Sequence, residues 1–250
     1  MSMRHFRRAA GRLHPSCAVA LCAAALCAGC GRASPEPAWF PLNTGASWAY
    51  QITTDTDGVV KRSTQTIRVT GEGRFNGAPV HTRRAETSGN IGVEYLLQAR
   101  PREIVRIAQR TDLEDFPVAD AAPRTVLKLP LVVGASWGAP TVAYAVLRKN
   151  ECPREMKFVK PVPMTYTVES IDEAVEVPAG RFSGCARVVG RADLTIYADP
   201  VSGFRKIPIT TTEWYCKEVG LVKLTRTENI ETSFFSGGSV EMVLTEYQIR

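Results

Sequence analysis

The sequence predicts an all-β protein built from antiparallel strands. Three observations carry this. From Trp39 onward no stretch spaces its apolar residues as an amphipathic helix does. Short β-rich runs broken by turn signals recur instead, the pattern of a meander or barrel. Within runs the character alternates: Ile67 and Val69 against Thr66, Arg68 and Thr70, with Val142, Tyr144 and Val146 keeping the same period of two. A polar face on every second residue favours antiparallel over buried parallel sheets.

The first expected strand, 47–55, runs into Asp57-Gly58, and the second, 59–75, into Asn76-Gly77. Both dipeptides suit type I′ hairpin turns, which need positive φ at both central residues. Strands 79–88, 92–100 and 103–110 follow, then an acidic stretch over 112–124 that reads as a solvated loop. The second half adds 141–148, 164–171, 181–197, 205–217, 220–227 and 240–249. Asp199-Pro200-Val201-Ser202-Gly203 and Ser236-Gly237-Gly238 mark two further turns.

One pattern occurs twice. Phe40-Pro41-Leu42-Asn43-Thr44-Gly45-Ala46-Ser47-Trp48 is echoed by Leu129-Pro130-Leu131-Val132-Val133-Gly134-Ala135-Ser136-Trp137. Proline suits the approach to a strand, glycine a bend, and tryptophan a core-facing strand start. The echo is either a duplicated lead-in or two uses of one local solution.

The first thirty residues read as an export address. Arg4, Arg7, Arg8 and Arg12 form a basic head without an acid, and an apolar signal helix over 17–28 follows. That run is well short of the roughly twenty residues a spanning helix needs. Leu26-Cys27-Ala28-Gly29-Cys30 resembles the lipobox of bacterial lipoproteins, although Cys27 stands where leucine is usual. The resemblance makes Cys30 the lipidation site, carrying a diacylglyceryl group and palmitate-like acyl chains. Buried acyl chains contribute about 0.8 kcal/mol per CH₂, so two or three hold a protein firmly on a membrane. Gly31 lacks the aspartate that retains enterobacterial lipoproteins in the inner membrane, which points to the outer membrane. The proline-containing stretch 31–38 is an expected tether, and 39–250 is expected to form one antiparallel β domain. Without the four signal arginines, 27 basic residues face 25 acidic ones. The net charge of the mature chain is then 27 − 25 = +2, so the basic pI of the whole chain is no nucleic-acid signature.

Four motifs carry a wider resemblance. They are Pro41-Leu42-x-x-Gly45-x-x-Trp48-x-Tyr50, Leu129-Pro130-Leu131-x-x-Gly134-x-x-Trp137, Val177-Pro178-Ala179-Gly180-x-Phe182-x-x-Cys185 and Trp214-Tyr215-x-x-x-Val219-Gly220-Leu221-Val222-Lys223. Together they are similar to a broad group of bacterial secreted proteins and lipoproteins. The resemblance implies a strongly curved antiparallel sheet or half-open β-barrel, like periplasmic lipoprotein carriers at the level of fold. Three cysteines, Cys152, Cys185 and Cys216, remain in an oxidising compartment, enough for one disulfide and one leftover thiol. Cys185 fills a position that is often cysteine in the similar proteins without an obvious partner. Cys152–Cys216 is therefore the expected bridge, with Cys185–Cys216 as the alternative.

Little in the chain looks catalytic. Gly134-Ala135-Ser136-Trp137-Gly138 matches the G-x-S-x-G nucleophile elbow, but no helix pattern follows and no histidine lies beyond His81. His81 is the only histidine of the mature chain and reads as an exposed strand residue, so no imidazole-based metal site is expected. The glycines of 71–77 lack dinucleotide-binding spacing. Asp112, Glu114, Asp115 and Asp120 are oxygen ligands without the spacing of a calcium loop. Glu169, Asp172, Glu173 and Glu176 form a second acidic run, and 148–160 is a basic one.

The sequence therefore predicts a non-enzymatic cell-envelope lipoprotein, with no cofactor and no metal, that binds an apolar ligand or lipid in its curved sheet. The alternative is an accessory or structural module of an envelope protein assembly. Expected partners are the membrane, through the acyl groups on Cys30, a lipid or apolar ligand, and an envelope protein; nucleic acid is not among them. A concave aliphatic interior would favour the ligand, and a filled interior with an exposed aromatic patch a protein partner.

Overall fold

A computed structural model describes residues 38–149, 161–201, 203–232 and 234–249. Cys30, the signal helix, the tether up to residue 37 and Cys152 lie outside these residues, as does 150–160 of the basic run.

The first six strands form an antiparallel meander: β1 (Ser47–Thr56), β2 (Val59–Phe75), β3 (Ala78–Thr87), β4 (Val93–Arg100), β5 (Glu103–Thr111) and β6 (Val118–Lys128). A second meander follows: β7 (Ser136–Thr141), the short β8 (Leu147–Arg148), β9 (Val162–Val177), β10 (Gly180–Asp199), β11 (Gly203–Cys216), β12 (Gly220–Glu231) and β13 (Phe235–Gln248). The path of the sheet is β6-β5-β4-β3-β2-β1-β13-β12-β11-β10-β9-β7, with β8 beside β13. Every pairing is antiparallel. The protein is thus all-β, a strongly curved sheet nearly closed into a barrel. The join between the meanders is the long β1–β13 ladder, from Ser47↔Gln248 to Thr56↔Gly238. Between the outer strands β6 and β7 the lysine of Lys128 donates to the Ser136 carbonyl at 3.0 Å. No ladder joins them among the described residues, and this is the seam.

The expected I′ turns are present. Asp57 and Gly58 have φ of 54° and 74°, and Asn76 and Gly77 of 48° and 79°. Three expectations need correction. The stretch 112–124 is a loop only in its first part; from Val118 it is β6, whose alternation is hidden by Ala121, Ala122 and Pro123. Pro123 is tolerated because β6 is an outer strand. The expected strand over 141–148 is not continuous: Thr141 ends β7, 142–146 leave the sheet as a strap, and Leu147 and Arg148 pair with β13. Ser236-Gly237-Gly238 is not a turn but part of β13. A Cβ on Gly237 would collide with the Glu228 carbonyl and one on Gly238 with the Asp55 carbonyl, so these glycines allow three backbones to come close.

The echoed segments fold alike. Gly45 donates to the Val69 carbonyl at 2.8 Å, and Val69 to Ala46 at 2.9 Å. Gly134 donates to Val168 at 2.9 Å, and Val168 to Ala135 at 2.9 Å. Ala46→Asn43 and Ala135→Val132 close the same turn, both at 3.0 Å. Gly45 and Gly134 hold φ of 90° and 86°, which only glycine adopts without cost. Beyond the bends, Trp48 pairs with Ile67 and Trp137 with Tyr166. The two meanders therefore begin with one backbone device, and their strands correspond in order.

The largest apolar cluster lines the interior between the meanders, bringing Leu97, Ile104 and Leu127 to Trp137, Tyr166, Val188 and Tyr215. Two non-strand segments cover it. The lead-in places Trp39 and Leu42 in this cluster, and the Ala38 carbonyl receives the Glu218 amide at 2.9 Å. The strap places Ala143 and Val146 in the cluster.

Candidate functional site

The register assigns the interior face strand by strand. Val69 stands opposite Arg83 and Arg83 opposite Tyr95. In the second meander the corresponding row is Val168, Val188 and Glu213. Arg106 and Arg124 are opposed on β5 and β6, and Tyr166 and Trp137 on β9 and β7. The interior is therefore not purely aliphatic: it carries a belt of arginines and tyrosines with Glu213 among them.

Arg83 is the most unusual member. Its guanidinium lies 4.4 Å from the Phe40 ring centre and 4.7 Å from that of Trp48, two cation–π contacts. Its Nε is buried without a hydrogen-bond partner. Among the described residues no carboxylate pairs with it, whereas Arg106 is held by both oxygens of Asp120 at 2.8 Å each. Burial pushes Arg83 below the usual arginine value, opposed by its neighbours Tyr50, Tyr215 and Tyr95. Yet the residue is only half-buried by surface.

Glu213 has the same character. It is only half-buried by surface, yet burial raises its carboxyl above the usual range, while a hydrogen bond from the Tyr215 hydroxyl, 2.7 Å away, and the positive Arg124 and Arg226 oppose the shift. Burial raises Tyr215 well above an ordinary phenol, and Glu213 adds to the shift. Tyr166 is pushed up to about 12, chiefly by burial. It stacks on Trp137 with ring centres 5.6 Å apart. The Trp137 Nε1 is buried without a partner, whereas its counterpart Trp48 donates to the Val219 carbonyl at 2.7 Å. Tyr50 likewise donates to the Leu221 carbonyl at 2.8 Å. Arg83 Nε and Trp137 Nε1 are thus buried donors without a hydrogen-bond partner among the described residues.

A second polar cluster is fully satisfied. Glu228 accepts from the amides of Tyr144, Ala145 and Val146 at 2.8–3.2 Å and from Arg226 Nε at 2.6 Å. Arg226 also donates to the Thr141 and Thr211 hydroxyls and the Val142 carbonyl, at 3.0, 3.2 and 2.6 Å, and lies under the Tyr144 ring at 4.5 Å. Every amide of that turn meets one carboxylate. This cluster locks the strap in place.

The residues singled out in the sequence are dispersed. Asp112 is held below the usual carboxylate range by Arg84, whose Nη1 and Nη2 approach at 2.9 and 3.1 Å. Glu114 is lowered by hydrogen bonds from the Thr111 amide and hydroxyl. Asp120 belongs to Arg106, and no group of acids, histidines or cysteines among the described residues suits a metal. Glu169 engages Arg187 and Arg191, and Glu173 engages Arg187 and the Trp214 Nε1. Ser136 is an exposed strand start. His81 is half-buried rather than exposed, with Nδ1 3.5 Å from Glu72.

The disulfide also differs from the expectation. Cys185 is bonded to Cys216, so Cys152–Cys216 is replaced by the alternative. Ala186 pairs with Tyr215, which brings the two cysteines face to face with Cα atoms 4.2 Å apart. Spacing along the chain did not carry that register.

The interior belt was missed in the sequence because Arg83 and Glu213 sit in alternating strands where charged residues usually face water. Within β3 the residues of the same parity, His81 and Ala85, give no inward signal, and the apolar Val69 opposite Arg83 is known only from the register.

No family model matches the chain, and no curated protein matches it. Two solved structures are similar. One is a Bacteroides fragilis protein described provisionally as exported, with a YmcC-like fold; it is 14% identical, with 85% of this chain and 100% of that chain covered and a TM-score of 0.42. The other is a Parabacteroides distasonis protein described provisionally as a lipoprotein; it is 14% identical, with 86% and 100% covered and a TM-score of 0.44.

Proposed function

We propose that this protein is a non-enzymatic lipoprotein of the bacterial cell envelope, anchored through Cys30 and facing from the outer membrane, that binds an apolar ligand or lipid inside its curved sheet. The observation that carries binding is the interior itself: a nearly closed barrel in which Arg83 and Trp137 hold buried donors with no partner. Buried donors are nearly always satisfied in folded proteins, by protein, water or ligand. The lipobox-like ending at Cys30 and the four motifs shared with secreted proteins and lipoproteins support the location.

The second reading is an accessory module docked to an envelope assembly. Apolar side chains exposed at hairpin tips favour it: Val201 is 97% exposed and Phe204 74%, with Tyr197 set edge-on against Phe204 at 5.4 Å. Leu113 and Phe116 are similarly bare between β5 and β6.

Native mass spectrometry of the full chain released from its envelope separates the two. A lipid-sized mass above that of the acylated polypeptide, lost on mild activation, is expected for the binding protein. A bare mass, together with a protein crosslinked through the β10–β11 tip, would replace that reading with the docking module.

A further inference from the structure

We propose that the interior beside Arg83 is the head-group subsite for an oxyanion carried on an apolar body, such as the carboxylate or phosphate end of an amphiphile. This rests on the ligand-binding reading and specifies which ligand.

The argument begins with correspondence between the meanders. Arg83 stands opposite Val69 just as Val188 stands opposite Val168. Val188 is completely buried and satisfies that position with an aliphatic side chain. Barrel closure therefore does not call for a cation there, and a buried unpaired cation is costly. The same comparison holds for the tryptophans, because Trp48 donates to Val219 and its counterpart Trp137 donates to nothing. Both departures from the duplicated plan leave a donor unsatisfied, and both face the interior.

The chemistry of the occupant follows. Arg83 is a planar donor suited to two parallel bonds with a carboxylate or phosphate. Phe40 and Trp48 meet its π-facing demand, and Nε has no hydrogen-bond partner among the described residues, so its N–H donors are what is left to a ligand. The neighbouring carboxyl, Glu213, is engaged by Tyr215 and set among Arg124 and Arg226 rather than Arg83. The interior cluster is otherwise aliphatic and aromatic, Leu97 and Val188 included, and Tyr95, opposite Arg83, packs against it. A bare inorganic anion would use only the donors; an amphiphile would use both kinds of wall.

Tryptophan fluorescence of the full chain in amphipol, corrected with empty amphipol, tests this with octanoate, octanol, octyl phosphate, acetate and inorganic phosphate. Trp48, under the guanidinium, and Trp137 are natural reporters. Octanoate and octyl phosphate are expected to saturate the signal at least tenfold more tightly than octanol, with acetate and inorganic phosphate silent. Arg83→Met, which retains most of the stem, is expected to remove that tenfold preference and leave octanol unchanged. If Arg83→Met fails to fold, by circular dichroism, Arg83→Lys and Trp137→Phe are the substitutes, each expected to weaken octanoate severalfold more than octanol. Equal binding of octanoate and octanol by the wild type would overturn the head-group subsite and leave apolar binding standing. Saturation by acetate or inorganic phosphate as tight as by their octyl counterparts would replace the amphiphile by a free anion. Silence from all five probes would overturn the subsite and the ligand-binding reading together.

Discussion

At the scale of single residues, the interior contrasts two ways of keeping charge inside a barrel. Arg226 and Glu228 neutralise one another, and each nitrogen of Arg226 donates to a nearby group. Glu213 has no such partner: its carboxyl is raised by burial and only partly relieved by Tyr215, Arg124 and Arg226. The sign of its linkage follows. A carboxyl raised in the folded state contributes stability that is complete below the unfolded value of about 4.5 and is lost as pH rises through the folded value. Glu213→Gln, which still accepts from Tyr215, is therefore expected to flatten the fall in thermal midpoint from about pH 5 upward. Thermal melts of both proteins from pH 4 to 8 check this. Parallel curves would mean that Glu213 ionises freely in the fold. Asp112 and Glu114 act in the opposite sense, losing stability as pH falls, but they are common to both proteins and cancel in the comparison.

At the scale of elements, the strap from 142 to 146 depends on one carboxylate. Three successive amides converge on Glu228, and the Arg226 guanidinium ties the same carboxylate to Thr141, Thr211 and Val142. Removing one member of a buried ion pair typically costs about 3–5 kcal/mol, because the other is left uncompensated. Glu228→Ala is expected to destabilise by this amount in urea unfolding, with new proteolytic cleavage near Tyr144. A loss below about 1 kcal/mol would show that the strap is held by its apolar residues instead. This element also shows what a sequence can and cannot display. The I′ dipeptides Asp57-Gly58 and Asn76-Gly77, the strands they join and the tryptophan lead-ins were legible because their conformations are set within a few residues. The strap was not, because Val142, Tyr144 and Val146 alternate like a strand, and only Glu228, more than eighty residues away, draws that backbone out of the sheet. The Cys185–Cys216 pairing and the inward turn of Arg83 were hidden likewise, since both depend on the register of strands joined only in three dimensions.

At the scale of the whole molecule, the two meanders offer two equivalent closures, and only one is made. β1 follows its lead-in and pairs with β13, the last strand of the other meander. β7 follows the matching lead-in, yet its counterpart pairing with β6, the last strand of the first meander, is replaced by the Lys128–Ser136 contact. Pro123 in β6 and Pro140 in β7 each lack an amide for such a ladder. Hydrogen exchange is therefore expected to be slowest along β1 and β13 and at least tenfold faster at the free-edge amides of β6 and β7. Uniform protection around the ring would mean that the seam is zipped in solution.

The β1–β13 ladder has a consequence for how the chain is made. Ala49 and Thr245, joined by a hydrogen bond, lie 196 residues apart. A polypeptide emerging from its N-terminus presents β1 long before its permanent neighbour exists, and such distant pairings form slowly. Until β13 arrives, β1 and β12 both expose raw hydrogen-bonding edges, the kind that recruit strands from other molecules. Newly made chains would then need shelter by a holding chaperone, and a product halted before Phe235 would be degraded or aggregate rather than persist as a smaller barrel.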